Sequence, residues 1–326
     1  MSHPALTTPG ASAPSAPVLA EVVRSGFVEG RHRGSVVLLA ADGSVEWAIG
    51  DVASPVFPRS SNKPMQAAGI LRAGLDLRGE RLALAAASHS GEPFHRDLVR
   101  AMLDEHGLTP EHLQCPPALP LDQEEQEAYL AAGGRRDRVA MNCSGKHTAM
   151  LAAAALRDWP LESYLDPDHP LQRLIRTVVE EAAGEPVAAV GVDGCGAPLM
   201  AISLTGLARA FRSFVLAAPG TPERRVADAM RAHPEYVAGT HRHDTWLMRE
   251  MPGALSKVGA EAVQALALPD GRALALKIED GGVRALGPVL ARALRLTGVT
   301  APVVDRIGRT PVLGRGETVG EVRAAF

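Results

Sequence analysis

The sequence predicts a mixed α+β protein, in which one antiparallel sheet is built from both ends of the chain and helices pack on it. Three observations support this fold class. Strand-like runs follow Val18, helical periodicity dominates the middle of the chain, and strand-like alternation returns near the end. Strands from both ends form one compact body when they share a sheet. We therefore expect a largely helical middle region between the two parts of that sheet.

The first predicted elements are strands. Apolar runs occur in VLAEVVRSGFVEG and SVVLLAADGSVEWAIG, and Asp42-Gly43 between two such runs is a hairpin signal. After Lys63 the pattern changes to apolar residues three and four positions apart, in MQAAGILRAGL and FHRDLVRAMLDEHG. This spacing, with a glycine at the end, predicts helices.

The middle third continues as helices. Helical periodicity is present in GKHTAMLAAAALRDW, HPLQRLIRTVVEEAAG, PLMAISLTGLARAF and PERRVADAMRAHPEYVAG. Several of these begin with proline, whose missing N–H costs little in a first turn. Later, RALALKIEDGG alternates as a strand, RALGPVLARALRL predicts a helix, and TPVLGRGETVGEVRA predicts a final turn and strand.

The predicted organisation is a disordered segment at 1–17 and a single domain at 18–326, with a sheet lobe at about 18–58 and 250–326 and a helical region at about 64–249. The first segment is rich in Pro, Ala, Ser and Thr, and has too few large apolar side chains to offset the entropy of ordering it. It lacks the features of a secretory signal, and no later stretch approaches the roughly 18 apolar residues of a membrane span. We therefore expect a cytoplasmic protein.

The composition argues against nucleic-acid and membrane partners. The 326 residues carry a net charge of only −3 at pH 7, whereas binding to nucleic acid or to an anionic membrane favours a clustered positive surface. The three cysteines, Cys115, Cys143 and Cys195, cannot all pair within one chain, and a reducing compartment keeps them as thiols. Cys115 lies in a proline-rich loop without a neighbouring acid or base, so we expect it to be a packing residue.

Ser60 and Lys63, in RSSNKPMQA, stand three residues apart at the start of the first predicted helix. At this spacing a hydroxyl and an amine lie on one face of the first turn. Burial or nearby positive charge lowers a lysine pKa, and the neutral amine can then take the serine proton. The alternative is structural, with a serine that caps the helix and a solvated lysine. The short motif alone leaves both interpretations open and favours the structural one.

A second cluster, NCSGKHTAM at 142–150, places a thiol, a hydroxyl, an ammonium and an imidazole just before an apolar helix, whose N-terminal amides favour a thiolate. Cys143 and His147 could form a Cys-His hydrolase pair, or the cluster could hold a metal. In GVDGCGAPLM, glycines bracket Asp193 and Cys195 and indicate a tight turn, which could also be a bare turn.

Three separated motifs gain meaning together. The early Ser-x-x-Lys, a serine in ASHSGE (Ser88 or Ser90) and the late Lys-x-Gly at Lys257 follow the layout of penicillin-recognising serine hydrolases, whose motifs meet around one acyl-enzyme site. In that layout Ser60 is the nucleophile candidate and Lys63 is its base.

The sequence resembles the rhizobial-type L-asparaginases, the L-asparaginase II family, which share the serine β-lactamase and glutaminase-like fold. The resemblance runs from about residue 18 to 326 and is carried by RSSNKPMQA, ASHSGE, NCSGKHTAML, DPDHPLQ, DGCGAP, HPEYVAG and KVGAEA, in that order. It implies two catalytic pairs, Ser60 with Lys63 and Ser88 with Lys257.

The resemblance also implies a zinc ion held by Cys143, Lys146 and Cys195, together with substrate contacts at Asp193 and His89. A lysine ligand is unusual, because only the neutral amine can bind zinc. Two thiolates nonetheless suit this metal. We expect zinc to bind, and its role in turnover is left open.

The expected activity is hydrolysis of L-asparagine to L-aspartate and ammonia through a seryl acyl-enzyme. The alternatives are a glutaminase, a β-lactamase-like serine hydrolase, and a non-catalytic protein that binds zinc or an amino acid. The expected partners are the small-molecule substrate and a second copy of the chain in a homodimer.

Overall fold

The computed structural model of the protein describes residues 16–326. Most of the predicted disordered segment, residues 1–15, lies outside the described residues. The strands are β1 (Val18–Arg24), β2 (Phe27–Leu39), β3 (Val45–Ile49), β4 (Pro55–Val56), β5 (Ala189–Val192), β6 (Pro198–Ser203), β7 (Leu255–Gly259), β8 (Val263–Ala267), β9 (Ala273–Ile278), β10 (Pro311–Gly314) and β11 (Glu317–Ala324).

The helices between these strands lie mostly in the middle of the chain, as predicted. They are α1 (Lys63–Arg72), α2 (Gly79–Ala85), α3 (Pro93–Glu105), α4 (Gln123–Ala131), α5 (Ser144–Leu156), α6 (Pro170–Ala183), α7 (Leu204–Leu216), α8 (Pro222–Ala232), α9 (Pro234–Val237), α10 (His243–Glu250), α11 (Leu286–Leu296) and α12 (Pro302–Ile307). A 3-10 turn at Arg59–Asn62 leads directly into α1.

The main sheet is antiparallel and contains strands from both ends of the chain. Its order is β10-β11-β1-β2-β9-β8-β7, and β3 pairs with β2. The N-terminal strands β1 and β2 therefore lie between C-terminal strands on either side. The predicted α+β fold and the predicted shared sheet are confirmed, because β1 pairs with β11 and β2 pairs with β9.

The predicted hairpin at Asp42-Gly43 joins β2 to β3. Gly43 has φ of 91°, a left-handed conformation that glycine adopts without strain. The Asp42 carboxylate accepts a hydrogen bond from the Ser44 backbone N–H at 2.9 Å. The turn thus contains the type of side-chain to backbone bond that aspartate supplies in turns.

One predicted helix is partly wrong. PLMAISLTGLARAF was predicted to be helical throughout, but its first part is strand β6, which pairs with β4 and β5 in a small second sheet. All six residues of β6 are buried, and a continuous apolar run cannot be assigned to strand or helix by periodicity. Ser203 ends the strand and caps α7, because its Oγ accepts from the Gly206 N–H at 2.8 Å.

The main sheet is covered on both faces. Successive side chains along a strand point to opposite sides. On β2, Val37 and Leu39 pack into a large cluster with helices of the middle region, while Val36 and Leu38 pack into a second cluster with α11 and α12. The middle helices therefore meet the sheet on one face, and on this side the 3-10 turn before α1 contacts strand β7.

Strand β7 comes very close to the 3-10 turn before α1. A Cβ atom added at Gly259 would lie 2.4 Å from the Pro58 carbonyl oxygen and 3.0 Å from Ser61 Oγ. This glycine therefore allows the backbones of β7 and of the turn to come into contact. The late Lys-x-Gly motif has a structural reason for its glycine.

We predict that Gly259→Ala lowers the free energy of unfolding by about 1–3 kcal/mol, because the added methyl group overpacks this contact. Gly30→Ala is the matched control, since its added Cβ lies at an ordinary 3.8 Å from Val22. The control is expected to change stability by less than about 0.5 kcal/mol. Denaturant unfolding of both variants measures the difference, and equal stabilities would contradict the close contact.

Candidate active site

The sequence-predicted residues meet where the middle helices join the sheet. Ser60 lies in the 3-10 turn and Lys63 is the first residue of α1. Ser88 follows α2, Cys143 precedes α5, and Lys257 lies on β7. Contacts of the Lys63 side chain and electrostatic effects on the pKa of Lys257 connect these four segments.

Lys63 is the centre of this group and is only 1% exposed. Its Nζ lies 2.7 Å from Ser88 Oγ and 2.9 Å from Cys143 Sγ, and it also donates to the Ala87 carbonyl oxygen. The carbonyl can only accept, whereas the hydroxyl and the thiol can either accept or donate. Lys63 Nζ is therefore within hydrogen-bond distance of both the Ser88 hydroxyl and the Cys143 thiol.

These contacts differ from the two pairs that the resemblance implies. Ser60 is 8% exposed, and within residues 16–326 its side chain makes no hydrogen bond with Lys63, while Ser88 bonds Lys63 rather than Lys257. Ser61 Oγ donates to the Lys257 carbonyl oxygen at 3.0 Å and so joins the motif to β7. The catalytic roles of the serines and lysines stay predictions.

Lys257 is fully buried on β7, where its Nζ donates to the Val258 carbonyl oxygen at 2.9 Å. Burial lowers the pKa of Lys257 to about 7. Negative charge on Asp244 opposes this effect, while positive charge on Lys63 adds to it. Lys257 can therefore exchange a proton near neutral pH, as a catalytic acid or base must.

The two cysteines of the predicted zinc site lie together. Lys146 Nζ is 3.1 Å from Cys195 Sγ. Interaction with the Cys143 thiol is the main cause that lowers the pKa of Cys195, while burial opposes this and the charge of Lys146 adds to it. Interaction with Cys195 and burial raise the pKa of Cys143. Burial opposes a charged Lys146, but the thiolate charge outweighs burial and raises the pKa of this amine.

His147 is not paired with Cys143 as a Cys-His hydrolase requires. Its Nδ1 lies 2.7 Å from the Tyr164 hydroxyl, and Cys143 instead bonds Lys63. Burial lowers the pKa of His147 to about 4. Within residues 16–326, no group of three or more His, Cys, Asp and Glu side chains is arranged to hold a metal ion, so the predicted zinc set depends on its lysine.

Asp193 lies in the turn between β5 and β6 and forms an ion pair with Arg59. Arg59 Nε donates to Asp193 Oδ1 at 2.8 Å, and Cys195 Sγ lies 3.6 Å from Asp193 Oδ2. Arg59 directly precedes Ser60 and has a left-handed φ of 51°. Asp193 thus connects the start of the Ser60 motif to the cysteine cluster.

His89 is fully buried, and its Nε2 bonds Ser144 Oγ at 2.9 Å. Since Ser144 Oγ donates to the Val139 carbonyl oxygen, His89 Nε2 is the donor in this pair. Burial lowers the pKa of His89 well below its usual value, so the ring is neutral. The predicted contact of His89 with substrate stays a prediction.

The sequence analysis did not predict the ion pair of Arg59 with Asp193, and it did not use the small number of lysines. The chain contains only four lysines among 34 Lys and Arg residues: Lys63, Lys146, Lys257 and Lys277. The first three are at most 1% exposed and belong to this site. Three of the four lysines in the chain are therefore buried at this one junction.

Comparison with known proteins identifies the class. The sequence profile of L-asparaginase II matches residues 20–324, and the chain belongs to the L-asparaginase II family. This membership makes it an amidohydrolase and confirms the resemblance inferred from the motifs. No curated protein gave a sequence match.

Solved structures show distant likenesses. A β-lactamase from Mycobacterium bovis is 14% identical with a TM-score of 0.45, over 82% of this chain and 95% of that one. The native form of Mglu is 15% identical with a TM-score of 0.42, over 82% of this chain and 64% of that one. A Bacillus glutaminase is 11% identical with a TM-score of 0.38, over 81% of this chain and 91% of that one.

None of the helices described in residues 16–326 is long and apolar enough to cross a membrane.

We predict that Lys257→Met changes how stability depends on pH. Lys257 has a pKa of about 7 when folded and about 10.4 when unfolded, so the unfolded chain binds more protons between these values. Wild-type stability therefore gains from Lys257 as pH rises from about 7 to 10, by at most about 1.4 kcal/mol per pH unit. The variant lacks this gain.

Denaturant unfolding at several pH values measures the effect. The stability of Lys257→Met relative to wild type is expected to be greatest near pH 7 and to decline toward pH 10. Lys277→Met is the control, and its smaller effect follows from partial burial. A Lys257→Met difference that stays constant across this range would contradict the lowered pKa.

Proposed function

We propose that the protein hydrolyses L-asparagine to L-aspartate and ammonia through an ester on Ser60. The observation that carries this proposal is that Lys63 Nζ lies 2.7 Å from Ser88 Oγ at a junction where Ser60 and Lys257 are also buried, in a chain that matches the L-asparaginase II family from residue 20 to 324. In a Ser-Lys hydrolase, a buried amine beside a serine hydroxyl acts as the general base that activates it.

In the proposed reaction, Ser60 Oγ attacks the carbonyl carbon of the substrate side-chain amide. Lys63 takes the serine proton and delivers it to the departing nitrogen, which leaves as ammonia when the C–N bond breaks. Water then attacks the ester, loses a proton to the same amine, and returns Ser60 to its hydroxyl form. The net reaction consumes one water and releases aspartate and ammonia.

Ser88 and Lys257 complete this proton transfer in the proposal. Lys63 bonds Ser88 in the free protein, and catalytic hydrogen bonds are often long before substrate binds and shorten in the complex. We therefore assign the Ser60–Lys63 bond to the substrate complex. Lys257, with its pKa of about 7, is suited to exchange protons with Ser88 or with the attacking water.

The ends of the substrate need fixed charges. Arg59 and Asp193 are ion-paired beside Ser60, and each is less than a quarter exposed at its side chain. Asp193 is the proposed partner of the substrate ammonium, and Arg59 is suited to the α-carboxylate because its guanidinium binds carboxylates in a bidentate manner. Substrate would then exchange partners with an existing ion pair.

We further propose that Cys143, Lys146 and Cys195 hold a zinc ion. The fit is supported by the donor set, since two thiols and an amine meet in a buried cluster, with Lys146 Nζ 3.1 Å from Cys195 Sγ. Two soft sulfur ligands favour zinc over magnesium or calcium. When bound, zinc would neutralise the thiolates, and Cys195 would then hold Asp193 in position.

Assays with other substrates distinguish the proposed asparaginase activity from a glutaminase activity and from a β-lactamase-like activity. Glutamine is one methylene longer than asparagine, and a methylene gives only about 1–3 kcal/mol of discrimination. A β-lactamase-like enzyme would instead open a chromogenic β-lactam, and a non-catalytic binding protein would release no ammonia.

For the assembly and the compartment, we propose a homodimer in the cytoplasm.

We predict that Ser60→Ala lowers kcat for L-asparagine by roughly 10⁴-fold or more, because removing a nucleophile abolishes the covalent route. Ammonia release measures the rate, and mass spectrometry of quenched wild type locates the acyl group. Ser61→Ala is the matched control, since Ser61 is adjacent and fully buried, and we expect it to retain far more activity. An acyl group on Ser88 would reassign the nucleophile.

We predict about one zinc per chain by elemental analysis, with affinity that rises with pH because the ligands must lose protons. Cys143→Ser and Cys195→Ser are expected to lose the metal, whereas Cys115→Ser, which removes a buried thiol outside the cluster, is expected to keep it. Chelation should raise KM for L-asparagine more than it lowers kcat. Equal zinc contents in all three variants would rule out this site.

A further inference from the structure

Asp244 is the only buried Asp or Glu within the residues that the structure describes, at 1% exposed. It lies in the first turn of α10 and its carboxylate accepts three hydrogen bonds. Oδ1 accepts from Ser256 Oγ at 2.7 Å and from Gln264 Nε2 at 3.0 Å, and Oδ2 accepts from the Val258 backbone N–H at 2.9 Å. Burying a charged carboxylate costs free energy, and hydrogen bonds from its partners offset that cost.

Two of these partners lie on either side of Lys257 in β7. The peptide group between Lys257 and Val258 is held at both polar atoms, because its N–H donates to Asp244 and its carbonyl accepts from Ser61 Oγ at 3.0 Å. β7 is the last strand of the main sheet, and no other strand within residues 16–326 pairs with its outer edge. Asp244 therefore supports the strand at the position that carries Lys257.

The same carboxylate affects the charge of Lys257. Burial acts to raise the pKa of Asp244, but the charge of Lys257 and the three hydrogen bonds keep that pKa below its usual value, so Asp244 is ionised. The charged groups that face Lys257 are Lys63 from α1, Cys143 before α5, Arg242 before α10, and Asp244 itself. Asp244 is the main group that offsets the burial of the ammonium.

We propose that Asp244 is a positioning residue for the reaction, which holds β7 at Lys257 through the Val258 N–H and Ser256 and supplies the negative charge that keeps the Lys257 amine available for protonation. Its catalytic meaning rests on the proposed function. Asp244 touches neither Ser60 nor Lys63 by any hydrogen bond in the described residues, and it acts through Lys257.

The first test is NMR of the protein labelled with ¹³C-lysine, because a chain with four lysines gives four Cε signals. The Lys257 signal is assigned by its loss in Lys257→Met. In Asp244→Asn we expect the pKa of Lys257 to fall by at least about one unit, since an opposite charge is removed. The signals of Lys146 and Lys277 should titrate as in wild type.

The second test is kinetic. Asp244→Asn is expected to lower kcat for L-asparagine at least tenfold with KM changed less than threefold, and to move the limb of the pH–rate profile near pH 7 to lower pH. Ser256→Ala is the matched variant, because it removes one of the three hydrogen bonds to the Asp244 carboxylate, together with the bond from Gln264 Nε2 to Ser256 Oγ, and keeps the charge. We expect it to lower kcat about threefold without moving that limb.

A folded Asp244→Asn protein with wild-type Lys257 titration and wild-type kcat overturns the proposal. If Asp244→Asn does not fold, Ser256→Ala decides, and a wild-type kcat in that variant overturns the proposal as well. Failure of the proposed function is a different result: the wild-type protein releases no ammonia from asparagine, while the titration of Lys257 still reports whether Asp244 controls its charge.

Discussion

The structure depends on burying three lysine side chains and two thiols at one junction. An unpaired buried charge costs several kcal/mol, so each amine must meet an acceptor or a negative charge. Lys63 meets the Ala87 carbonyl, Ser88 and Cys143, while Lys146 meets Cys195. Five separate segments must therefore arrive at one place in the correct orientation.

The surroundings at this junction shift the pKa values of two lysine side chains in opposite directions. Thiolate charge raises the pKa of Lys146, whereas burial lowers the pKa of Lys257 to about 7. Enzymes use such divergence to keep a proton donor and a proton acceptor side by side at one pH. The two lysines therefore differ in the direction of their pKa shifts, and Lys63 contacts Cys143 while its charge also acts on Lys257.

Much of the fold follows from local patterns. The period of apolar residues predicted α1 and α3, and Asp42-Gly43 predicted the hairpin, because both signals depend on neighbours within one element. The strand β6 was missed because its residues are all buried and show no alternation. Arg59 was missed because an arginine before a serine has no distinctive spacing.

The sequence by itself determined which chemical groups are present and in what order: a Ser-x-x-Lys, a cysteine and lysine cluster, a glycine-bracketed aspartate and a Lys-x-Gly. Only the tertiary structure decided which of them touch. Lys63 meets Ser88, 25 residues away, and Arg59 meets Asp193, 134 residues away. Periodicity reports neighbours along a single helix or strand, whereas these contacts depend on how separate elements pack, so no local pattern contains them.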